Sequence, residues 1–192
     1  SLSLGIVDQD QANGNVARSR QIVDLYMRSR NFIRQPGENE LAVQNDFMKT
    51  EIHTHQGDAV WCPLPNTASS LRKVFNYSIL KPELKGLFDC LYSPSELDLF
   101  LEEGFRGKPH IGAAAILSNM DMESGFWRNI AAAINTARGG DDVNIFLAGS
   151  IFGGMGASGF PTIVRKLRRM LDEDGLSTGV KIGGALMLPY FS

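Results

Sequence analysis

Residues 143–159 read VNIFLAGSIFGGMGASG, and the fold is decided here. VNIFLA is a continuous apolar run bounded by turn signals, which predicts a strand covered on both faces in a parallel sheet. Gly149, Ser150, Gly153, Gly154, Met155, Gly156, Ala157, Ser158 and Gly159 follow it directly. A glycine-rich loop between a buried strand and a helix brings backbone N–H groups and a helix N-terminus to one point, which suits an anion. Small residues let a phosphate approach the backbone, and Ser150 and Ser158 add hydroxyl donors. The competing reading is a loop whose glycines serve only tight strand-to-helix packing.

Downstream, Pro161 is expected near the first helical turn. Ile163, Val164, Leu167, Met170 and Leu171 form an apolar stripe, with Arg165, Lys166, Arg168 and Arg169 facing mostly outward. A last strand over 180–188 completes a strand, helix, strand crossover. Upstream, LSLGIVD predicts a short buried strand running into the turn-rich DQDQANGN, and a helix over 16–33 follows. Residues 35–45, with Pro36 and Gly37, read as a loop. Short strands are predicted near 51–55 and 59–62.

Helical pieces succeed one another over 69–103, broken at Pro82 and Pro94, with Ser95 as an N-cap and Gly104 as the terminating glycine. An amphipathic helix over 123–138 closes at Gly139 and Gly140. Alternation of strands and helices predicts an α/β fold with a mostly parallel, doubly wound, Rossmann-like sheet in three layers.

The 192 residues suffice for one sizeable core, and 43% hydrophobic with 21% charged residues is an ordinary globular balance. A formal net charge of -2 with a pI near 5.9 argues against nucleic acid as partner, since general phosphate attraction demands a basic excess. Cys62 and Cys90 lack a CxxC spacing, so neither a disulfide framework nor a zinc ribbon is indicated. No apolar run reaches the ~18 residues of a membrane helix, and SLSLGIVDQD lacks the pattern of a secretion signal. We therefore expect a cytoplasmic protein that does not engage a membrane. The start on Ser1, already near a strand, and the finish on ALMLPYFS read as cuts through a larger domain.

Known phosphate loops narrow the choice. A Walker loop, GxxxxGK[ST], fails because Met155 follows Gly154. Gly154, Gly156 and Gly159 satisfy GxGxxG, but the acidic residue that dinucleotide binding expects about 20 positions on is missing. The hydrolase elbow GxSxG fails at Phe160.

FLAGSIFGGMGASGFP resembles the GGGTGSG phosphate loop of the tubulin and FtsZ superfamily. GFRGKPHIG, over 104–112 and including Gly104, Gly107 and Lys108, resembles that family's GxGGNPxxG loop, in the same order and separation. GIVDQD is similar to the family's second strand and Asp-containing loop, with Asp8, then Asp10, near ribose or Mg²⁺. The resemblance implies a guanine-nucleotide-binding domain over 1–192, with an insertion at about 35–103. It implies GTP or GDP with Mg²⁺ as ligand and self-association into filaments or oligomers.

Met155 stands where the family has threonine, and Lys108, a candidate phosphate counter-charge, where it has asparagine. The family's first strand would precede Ser1 and its acidic catalytic loop would follow Ser192. The resemblance thus implies binding, with GTPase activity possible only in a longer protein, and assigns no catalytic residue here. Two alternatives stay open: an NAD(P)- or FAD-binding oxidoreductase domain using GMGASG, and a non-catalytic tubulin-like assembly module. His53 and His55 share one strand face but lack a third ligand, so surface or structural roles are expected. Phe126, Trp127, Phe146 and Phe152 are expected in the core.

Overall fold

The computed structural model describes residues 2–10, 14–34, 48–53, 60–64, 70–102, 104–176 and 178–188. In chain order its elements are β1 (Leu2–Ser3), β2 (Ile6–Val7), α1 (Gly14–Ile33), β3 (Ile52–His53), β4 (Val60–Trp61), α2 (Leu71–Val74) and α3 (Pro82–Leu91). They continue with α4 (Pro94–Leu97), α5 (Pro109–Ser118), α6 (Gly125–Thr136), β5 (Val143–Ser150), α7 (Gly154–Glu173) and β6 (Val180–Met187). The fold is mixed α/β. Among the described residues no helix is long and apolar enough to cross a membrane. The expectations for residues 35–45, for His55 and for the chain end past Leu188 lie outside the described residues.

Among the described residues the strand pairing is parallel, each pair joined by a connection that contains a helix, and it forms three two-stranded sheets, β1–β3, β2–β4 and β5–β6. The longest runs from Val143 opposite Val180 to Ser150 opposite Met187. Two of the pairs share one core. Trp61 stacks on Phe126 at 5.5 Å and meets Trp127 edge-on at 5.5 Å. These rings pack with Ile116, Ile134, Ile163, Leu167, Leu171 and Val180, and Val7, Ile145, Leu147 and Ile182 close over them. The α7 stripe supplies three of these residues, as its spacing predicts.

A second cluster holds Leu64, Leu71, Leu97, Leu101, Phe105, Ile111 and Ala115. It seats α2 and α4 on one face of α5, while Ile116 of α5 points into the first cluster. Met155 touches both clusters.

Several expectations are corrected. β5 is covered on one face only: Ile145 and Leu147 are half-buried, whereas Phe146 is 69% exposed. Phe126 and Trp127 are core residues, but Phe146 and Phe152 are not. The first strand is broken into β1, paired with β3, and β2, paired with β4, and Gly5 between them is pressed on the Phe126 ring, where a β-carbon would come within 2.7 Å of Cε2. The helical pieces do separate at Pro82 and Pro94, as expected, and these prolines, like Pro109, each stand at the first position of a helix, where a missing N–H costs nothing. The cap of α4 is Ser93 rather than Ser95, in a reciprocal capping box with Glu96. That helix ends at Leu97, so Gly104, at φ 101°, serves a separate turn.

Candidate functional site

The glycine-rich stretch is largely helical. Gly149 and Ser150 end β5, Ile151, Phe152 and Gly153 form an exposed three-residue connection, and α7 begins at Gly154. Pro161 accordingly lies inside the helix, not in its first turn. Ile151 N–H still donates to Met187 O at 3.2 Å, so the connection is tethered to β6.

Most of the glycines are spent on close packing. At Gly154 a β-carbon would lie 2.7 Å from Phe105 Cβ and 3.2 Å from Gly107 N. At Gly156 it would collide with Ser150 O and N, so α7 starts directly against the end of β5. At Gly112 it would meet Ser158 Oγ and Cβ, where α5 crosses α7. Gly159 fits against the Met155 methyl, at 3.1 Å from such a β-carbon, and against Ile116 at 3.8 Å. Gly153 differs, since a β-carbon there meets nothing within 4 Å.

The structure thus brings residues 104–107 onto the start of α7, joining the two loops that the sequence singles out. Gly104 (φ 101°), Arg106 (φ 47°) and Gly107 (φ 69°) turn the chain sharply enough to lay Phe105 against Gly154. The second predicted loop is shorter than its motif, because Pro109, His110, Ile111 and Gly112 belong to α5. Arg106, exposed within the turn, was not singled out by any spacing rule.

Chemically, α7 is a 20-residue helix capped by Gly153, which has no side chain to satisfy the first-turn amides. Its N-terminal end carries partial positive charge, with no side-chain cap hydrogen bond and no acidic side chain in the first turn. Ser150 Oγ accepts from Phe152 N–H at 3.2 Å, and so holds the connection in place.

Three expected contributors point elsewhere. Ser158 is 1% exposed and its hydroxyl donates to Gly154 O, so it is committed to the helix backbone and offers no donor outward. Met155 packs into the core. Lys108 caps α5 by position, and its Nζ donates to Glu96 Oε1 at 2.8 Å. His110 Nε2 lies 3.1 Å from the same oxygen, and Ser93 donates from both its N–H and Oγ to Glu96 Oε2 at 3.0 Å. With Lys108 as its main partner, Glu96 is held down to about 2, well below the usual carboxylate range. Glu96 sits in no motif and is recognisable only by its capping-box spacing from Ser93.

Asp8 and Asp10 belong to the β2–β4 end. Asp8 Oδ1 accepts from Asp10 N–H at 3.0 Å, and Asp8 N–H donates to Trp61 O at 3.2 Å. Burial pushes the Asp8 carboxyl up, partly offset by the Asp10 N–H, while the Asp10 charge adds to the rise. Between them Gln9 is buried, its amide donating to Leu64 O at 3.1 Å and accepting from Leu64 N–H at 2.9 Å. Gln9 therefore anchors the 62–64 turn, a role its sequence context does not signal. Among the described residues no group of three or more His, Cys, Asp or Glu is arranged to hold a metal ion.

Comparison of the chain with protein-family models, curated proteins and solved structures finds no match.

Proposed function

We propose that the N-terminus of α7, together with the 104–107 turn packed on it, binds the phosphates of a nucleotide. The observation that carries this reading is the contact of Gly154 with Phe105 and Gly107, which gathers both glycine-rich motifs at one uncapped helix end. The amides of Gly153, Gly154, Met155 and Gly156 are the donors in this reading, with Gly153 leaving room for the ligand. Resemblance to the tubulin and FtsZ superfamily selects a guanine nucleotide, GTP or GDP, held in a Rossmann-like domain that self-associates. Mg²⁺ commonly arrives on phosphates with one or two carboxylates. Asp8 suits such a role, since a cation would offset the cost of its burial.

The experiment is calorimetric titration of the protein with GTP, GDP, ATP and NAD⁺, each with Mg²⁺. Saturable heat with GTP or GDP supports the reading. Absence of heat with every ligand at millimolar concentration overturns it, and NAD⁺ alone binding moves the site to the dinucleotide class.

A second reading, an assembly module without nucleotide affinity, draws on the inward turn of Met155 and Ser158 and on the engagement of Lys108 by Glu96. Sedimentation showing self-association that is unchanged by nucleotide would favour it.

A further inference from the structure

We draw no further inference here: the strongest candidate, the open face of the β5–β6 sheet around Phe146 and Met187 (69% and 65% exposed), is an unpartnered apolar surface, and nothing in the structure shows what covers it.

Discussion

Gly154 rests on Phe105 so closely that a β-carbon at residue 154 would stand 2.7 Å from Phe105 Cβ. Phe105 is 1% exposed and fixed within the second core cluster, so neither side can retreat. Gly154→Ala is expected to destabilise the fold by about 1–3 kcal/mol, the usual cost of overpacking. Thermal unfolding followed by circular dichroism measures this. An unchanged Tm would show that the 104–107 turn does not clasp α7.

Two phenylalanines separate core from surface. Phe126 is 8% exposed, stacked on Trp61, and covers Gly5, whereas Phe146 is 69% exposed on the open face of β5. Phe126→Ala should cost about 3–5 kcal/mol, the range for deleting a buried aromatic ring. Phe146→Ser should stay within about 0.5 kcal/mol of the parent, as for surface substitutions generally. Parallel urea denaturation of both variants checks the contrast, and comparable losses from the two would mean that β5 is covered on both faces.

Periodicity made the long elements legible and glycine content marked the site, but neither conveyed what each glycine does. α1, α6, α7, β5 and β6 were legible as 3.6-residue stripes or continuous apolar segments, but how far each is buried was not: the apolar run of β5 is covered on one face only, and of α1 only Val16 is buried. The start of α7 was misplaced by several residues. Glycines at 154, 156 and 159 look like loop, yet all three lie in the helix, and at 154 and 156 tertiary contact with Phe105 and Ser150 leaves no room for a β-carbon. Pro161, expected near a first helical turn, was misplaced with that start and lies inside α7. The pairing of the two glycine motifs came from the family resemblance and from no local pattern. The Glu96 anchor on Lys108 was not legible, since it joins residues 12 apart across a turn that no local pattern predicts.

Glu96 links α4 to the residues that follow the 104–107 turn, through Lys108 and His110. Its folded pKa, about 2, lies below the ordinary 4.5, so the carboxylate favours the folded state at neutral pH. That contribution is complete above the unfolded value and is lost as pH falls from about 4.5 towards 2. Tm measured across this window should therefore drop more steeply for the parent than for Glu96→Gln, with the two curves converging at the acid end. Parallel curves would sink the assignment of Lys108 and Ser93 as the cause of the shift.

Gly153 offers the sharpest separation of stability from binding. Its backbone, φ -87° and ψ 147°, is the extended conformation of an N-cap that any residue adopts, and a β-carbon there meets nothing within 4 Å. Packing therefore gives no reason for glycine at this position, in contrast to Gly154 and Gly156. A serine at an N-cap turns its hydroxyl onto the first-turn amides and is favoured over glycine by a few tenths of a kcal/mol. Gly153→Ser should thus raise Tm slightly. The same hydroxyl would occupy the amides offered to a phosphate and fill the space above them, so affinity for pyrophosphate or GTP should fall by about tenfold, near the 1.4 kcal/mol that a lost charge-assisted hydrogen bond represents. Stability and affinity moving in opposite directions is the signature of a ligand site at this helix end. A variant that gains stability and binds nucleotide as tightly as the parent would place the phosphates elsewhere.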